Sequence, residues 1–83
     1  MYKISFKKSV ARDLKRLDKT QAKRILDKIE SELSFNADQF PELKGKFSGL
    51  RKYRIGEYRV IFSLIDCDTV LITRIKHRRD AYK

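Results

Sequence analysis

The apolar residues of this chain keep a helical spacing from Val10 to Leu33 and switch to a two-residue spacing after Gly49. A stripe with a helical period cannot serve as a half-buried strand, nor the reverse, so the switch calls for helices laid against a sheet. Length permits nothing larger, because 83 residues support one small core. The expectation is a single domain over residues 1–83.

Residues 2–6, Tyr-Lys-Ile-Ser-Phe, alternate apolar with polar side chains and predict a short first strand. From Ser9, read as an N-cap, Val10, Leu14 and Leu17 fall on one face of a helix of about three turns. Asp18 is placed to cap a second helix with Gln21 at the capping-box position. Ala22, Ile25, Leu26, Ile29 and Leu33 then form a continuous stripe that should end near Asn36, ahead of Pro41, Gly45 and Gly49. So short a link makes the two helices an antiparallel hairpin.

Beyond Gly49, residues 50–55, 58–65 and 69–76 read as strands joined by tight turns at Gly56-Glu57 and Cys67-Asp68, the second allowing a three-residue Asp-Cys-Asp loop instead. The order is βααβββ. It predicts an α+β domain with the helical hairpin on one face of a small antiparallel sheet.

Those turns set a register. Ile55 should face Tyr58, Arg54 face Arg59 and Lys52 face Ile61, while Arg59 faces Lys76 and Ile61 faces Arg74 in the next pair. Alternation then assigns Tyr53, Ile55, Tyr58, Val60, Phe62, Leu64, Leu71 and Ile75 to the core face. The opposite face receives Lys52, Arg54, Arg59, Arg74, Lys76 and Arg78 among Leu50, Ile61, Val70 and Ile72. Like charges directly opposite one another destabilise a sheet, so this cationic face is the candidate site.

Overall charge agrees: 21 Lys and Arg against 11 Asp and Glu leave a net charge of +10, which suits a polyanion or an acidic protein partner. Residues 1–43 contribute +3 and residues 44–83 contribute +7, which points to the second half. Cys67 is the one cysteine, so neither an intramolecular disulfide nor a cysteine-rich metal cluster is available and a reducing cytoplasm is the expected home. No stretch approaches the roughly 20 apolar residues of a membrane span, and the N-terminus carries no signal-peptide apolar run.

Leu43-Lys44-Gly45, followed by Gly49-Leu50-Arg51-Lys52-Tyr53-Arg54-Ile55-Gly56-Glu57-Tyr58-Arg59-Val60-Ile61-Phe62, resembles the central signature of the RelE/ParE toxin superfamily. Ile75-Lys76-His77-Arg78-Arg79-Asp80-Ala81-Tyr82 is similar to its closing basic stretch and C-terminal Tyr. The resemblance spans the chain and implies a fold of the RelE-like microbial ribonuclease type. Its RelE branch cleaves messenger RNA in the ribosomal A site and is silenced by a cognate antitoxin, which also carries the complex to operator DNA. Its ParE branch poisons DNA gyrase.

By position, the resemblance implies catalytic roles for Lys52, Arg59, Arg78 and Tyr82, with Lys76 or His77 able to take the place of Arg78. A further family Lys falls on Leu50 and is missing. Metal-free cleavage requires the 2′-hydroxyl to attack its own phosphate, which calls for a base, charge stabilisation and an acid at the 5′-oxygen. Arg59 suits the phosphate, since a guanidinium fork holds two oxygens. Lys52, crowded by Arg54, Arg59 and Lys76, is the candidate base or a purely binding cation. Arg78 or His77 would serve the leaving group, and Tyr82 would stack on a base or take part in proton transfer.

Arg54, Arg74, Lys44 and Lys46 are expected to contact the RNA backbone, with no cofactor or metal. For His77 an edge position with a satisfied hydrogen bond is an equal reading, and Tyr53 and Tyr58 read as core aromatics. The alternatives are a gyrase inhibitor of the ParE kind and an antitoxin-binding co-repressor without nuclease activity.

Overall fold

A computed structural model of the chain describes residues 1–43 and 49–79. Strand β1 (Lys3–Phe6) leads into helices α1 (Lys8–Lys15) and α2 (Lys19–Lys28), and strands β2 (Leu50–Ile55), β3 (Tyr58–Asp66) and β4 (Thr69–His77) follow. The Asp18 carboxylate accepts the Gln21 backbone N–H at 2.8 Å and caps α2 as expected. Ser9 does not cap α1. The helix starts after Lys7 with no side-chain cap, and the Ser9 hydroxyl instead donates to the Thr73 carbonyl at 2.7 Å, tying α1 to β4.

Past α2 the helix widens into a π turn, Ile29–Leu33, before two short helical turns, Ser34–Asn36 and Ala37–Gln39. The apolar stripe explains the widening. Ile25, Ile29, Leu33 and Ala37 repeat every four residues, a period that drifts around an α-helix of 3.6 residues per turn, and a wider turn brings the stripe back to one side. All four side chains are completely buried.

The sheet has the order β1-β4-β3-β2. The three C-terminal strands form the expected antiparallel meander, with the β2–β3 pairing as read from the sequence, including Lys52 opposite Ile61 and Arg54 opposite Arg59. Gly56 takes φ +59 at the first turn position, which only glycine adopts without strain. The expectation of a wholly antiparallel sheet fails at β1, which pairs parallel to β4 with Ile4 opposite Val70. A parallel neighbour requires a long crossover, which the helices, β2 and β3 together supply.

Between β3 and β4 two extra residues sit on opposite strands, Ile65 on β3 and Thr73 on β4. Each shifts the ladder by one and they cancel. Arg59 therefore still faces Lys76 and Ile61 still faces Arg74, but the stretch between the bulges changes sides. Val70 and Ile72, expected on the open face, are fully buried under the helices, whereas Leu71, expected in the core, stands opposite Ser63 on the open side and is only half-buried. The core joins Val10, Ile25, Ile29 and Leu33 to Ile55, Val60, Phe62, Val70, Ile72 and Ile75, so both helices cover one face and leave the other bare.

Candidate functional site

Register builds the bare face. Arg54, Arg59 and Lys76 are direct partners across β2, β3 and β4, and thus form one row of three cations with no carboxylate in it. Lys52 lies one step along the same side of β2, in the row Lys52, Ile61, Arg74. Lys52 and Arg54 are exposed, Arg59 and Lys76 half-buried. Partners in adjacent strands stand about 5 Å apart, so the row presents its charge over a length of roughly 10 Å.

Lys52, Arg54 and Arg59 line a depression of about 330 Å³ that is walled by Phe40 and Pro41. This wall depends on a residue with no role assigned from the sequence. Residues 41–43 run along the outer edge of β2, with Lys52 N–H donating to Pro41 O at 3.2 Å and Leu43 N–H to Leu50 O at 2.8 Å. Arg51 clasps that segment: its guanidinium donates to the carbonyls of Phe40 at 2.6 Å and Asp38 at 3.1 Å and pairs with Glu42 at 3.4 Å. A cation at an inward position of β2 is the sequence signal that marks it.

Arg74 has the parity of the cationic face, yet its guanidinium turns to α1. It forms a two-pronged ion pair with Asp13, at 3.0 and 3.1 Å, and the same carboxylate accepts the Ile75 N–H at 2.9 Å. Asp13 is only 7% exposed. It accepts a backbone N–H of β4 beyond the pairing with β1, which ends at Ile72, and anchors the strand that carries Lys76.

His77 lies opposite Tyr58 on the helix side and meets that ring edge-on at 5.2 Å. Its Nδ1 accepts the Arg79 N–H at 3.2 Å, so in the neutral ring Nε2 carries the proton and donates to Glu57 at 3.1 Å. Both nitrogens are thus engaged, in line with the edge-residue reading. Arg78 is exposed, donates its backbone N–H to Glu57 O at 2.7 Å, and borders a separate hollow with Glu57, His77 and Arg79. Tyr53 and Tyr58 pack against the core, as expected. Burial and the nearby Glu32 carboxylate hold the Tyr53 phenol above its ordinary pKa. Lys44, Lys46 and Tyr82 lie outside the described residues.

A helical pair on one face of a four-stranded mixed sheet is the architecture this chain shares with solved RelE-like toxins. Among solved structures, the chain is similar to the toxin–antitoxin complex RelBE2 of Mycobacterium tuberculosis, at 26% identity and a TM-score of 0.86 over 93% of this chain and 98% of that one. It is also similar to the RelE–RelB complex of Pyrococcus horikoshii, at 30% identity and 0.66 over 95% and 97%. YafQ of Escherichia coli shares the fold at 15% identity and 0.66 over the whole of both chains. No curated protein matches in sequence. The chain belongs to the ParE toxin family: the model described as the ParE toxin of the type II toxin-antitoxin system, parDE, matches residues 4–82. It is the toxin of a type II toxin–antitoxin system.

Proposed function

We propose that this toxin is an endoribonuclease that cuts messenger RNA in the ribosomal A site, acts in the cytoplasm, and is silenced by a cognate antitoxin through which alone it reaches operator DNA. The observation that carries this reading is the row Arg54, Arg59 and Lys76 with Lys52 beside it, on the face free of helices. A strand partnered by like charges is destabilised, and a phosphate seated between them reverses the sign of that interaction.

In the reading proposed, Arg59 receives the scissile phosphate and the charge that develops on its oxygens. Lys52, at the same depression, takes the 2′-hydroxyl proton, and that oxygen forms its new bond to phosphorus as the 5′-oxygen leaves. With both nitrogens of His77 engaged, the Lys76 ammonium donates a proton to the departing 5′-oxygen, and Arg78 can only offset the charge on it. Arg54 holds the adjoining backbone, with Lys44 and Lys46 as further contacts and Tyr82 stacking on a base. Arg74 contributes through its pairing with Asp13.

The test is primer extension on a messenger from cells expressing the protein. Discrete cuts within translated codons are expected for the wild type and a loss of at least about 100-fold for Arg59→Ala, with unchanged circular dichroism. Equal cutting and toxicity in that variant would sink the proposal. The family model's ParE description favours one rival, a gyrase inhibitor. Inhibition of supercoiling by the purified protein, with messenger left intact, would establish it.

A further inference from the structure

Charge divides along this chain in a way that halves conceal. Residues 7–28 carry nine Lys and Arg against three Asp, an excess of six, whereas Glu30, Glu32, Asp38 and Glu42 cluster in the connector that follows. Of the three Asp, Asp13 is buried on Arg74 and Asp18 caps α2, which leaves Asp27. The outer side of α2 is therefore a ridge of exposed cations, Lys19, Lys23, Arg24 and Lys28, set along one shallow trough with the hydroxyls of Thr20 and Ser31 and a single carboxylate, Asp27.

A surface serving solubility alone would alternate signs. Here Lys19 and Lys23, and again Arg24 and Lys28, are like charges four residues apart, an arrangement that weakens a helix. Among the described residues, ion pairs join Arg51 to Glu42, Arg74 to Asp13 and His77 to Glu57, and none of these takes in a ridge cation.

We propose that this ridge is a second phosphate-binding surface that seats the toxin on double-helical RNA. In the proposed function it adds a docking face remote from the cutting face, and it rests on that reading for its biological purpose and for the choice of RNA over DNA as the duplex. The helices lie on the far side of the sheet from Arg59, in a molecule of 32 × 28 × 22 Å, so the ridge and the cleft are separate surfaces that face opposite ways.

Two absences on the ridge select the partner. Residues 19–28 contain no aromatic side chain, so a base has nothing to stack on, which disfavours single strands and suits a duplex met through its backbone. A protein interface would want an apolar centre, and the exposed large apolar residues, Met1, Phe6, Phe35 and Ile65, all lie outside residues 7–28. At 1.5 Å per residue, Lys19 to Lys28 spans about 13 Å, room for several phosphates of one duplex strand.

The experiment measures equilibrium binding of the full chain across a salt series. The probes are a blunt RNA duplex of about 20 base pairs and an unstructured strand of about 8 nucleotides. Replacing Lys19, Lys23, Arg24 and Lys28 together by Gln, a good helix former, should weaken duplex binding at least about tenfold. It should also lower the slope of log Kobs against log salt by about 2 to 3, with binding of the short strand within about twofold of wild type. Replacing the same three lysines by Arg should restore duplex binding. An unchanged duplex slope in the Gln variant overturns the proposal, as does a loss confined to antitoxin binding. The readout is binding, so it stands or fails independently of whether Arg59→Ala abolishes cleavage.

Discussion

Asp13 is the residue on which the open end of β4 hangs. Its carboxylate takes two bonds from Arg74 and one from the Ile75 N–H, and Ile75 itself is 4% exposed. Asp13→Ala should therefore cost about 2–3 kcal/mol in urea unfolding, chiefly from the orphaned N–H, because the Arg74 guanidinium can still reach water. Asp13→Asn keeps one acceptor and should cost about half as much. Equal stability of all three proteins would mean that β4 does not depend on this carboxylate. Tyr53 has a different consequence. An unfolded chain ionises this phenol as pH climbs through 10.0, while the native state keeps it protonated, so its contribution is intact below that pH and is lost as pH rises through the higher native value. Tyr53→Phe retains the ring against Phe40, with centroids 4.8 Å apart, and should flatten the alkaline fall in stability. An identical alkaline profile in the variant would refute the assignment.

Among the elements, β4 depends on an inserted residue. Thr73 bulges from the ladder, donates its hydroxyl to Ile61 O at 3.0 Å, and accepts Ser9 on its own carbonyl. Deleting it would either turn Arg74 and Lys76 toward the helices or drag Val70 and Ile72 out of the core. Thr73→Val should cost only about 1 kcal/mol, whereas deletion should cost several and leave the protein insoluble or molten. A soluble, cooperatively folded deletion variant would show that the bulge is dispensable. The same bulge marks where the sequence stopped being legible. The Gly56-Glu57 turn and the pairs around Arg59 could be read because glycine geometry and alternation are local. Thr73 sits in an unbroken run of strand formers with no local sign of an insertion, and the parallel seat of β1 depends on a partner 66 residues away. Of the candidate site, the row Arg54, Arg59 and Lys76 was legible by parity. The Asp13–Arg74 pair joins residues 61 apart and left no pattern to find. The helix ridge was hidden because acidic residues in the connector cancel it in any count by halves.

At the scale of the whole molecule, cations on both faces make ionic strength a variable of folding. The chain carries +10 in a body whose shortest extent is 22 Å. At about 10 mM salt the Debye length is near 30 Å, so the helix ridge and the sheet face repel each other through the entire molecule, and at about 150 mM it is near 8 Å and repulsion survives only within each face. Added salt should therefore raise stability over this range, by about 1 kcal/mol or some 4–8 °C in Tm. It would also weaken ion pairs such as Arg51–Glu42 and His77–Glu57, but Arg74–Asp13 is bonded at a carboxylate only 7% exposed and is screened less. The Gln ridge variant, with four fewer positive charges, should start from a higher Tm at low salt and gain less from added salt. A Tm that falls as salt is added would show that attraction between paired charges, not repulsion between the two faces, governs this fold. A ridge variant with the wild-type salt response would show that the two faces do not sense one another. Their mutual repulsion would also tie stability to occupancy: a polyanion seated on either face should raise Tm more than the same ionic strength of simple salt, because it neutralises one face outright and adds its binding free energy to the native state.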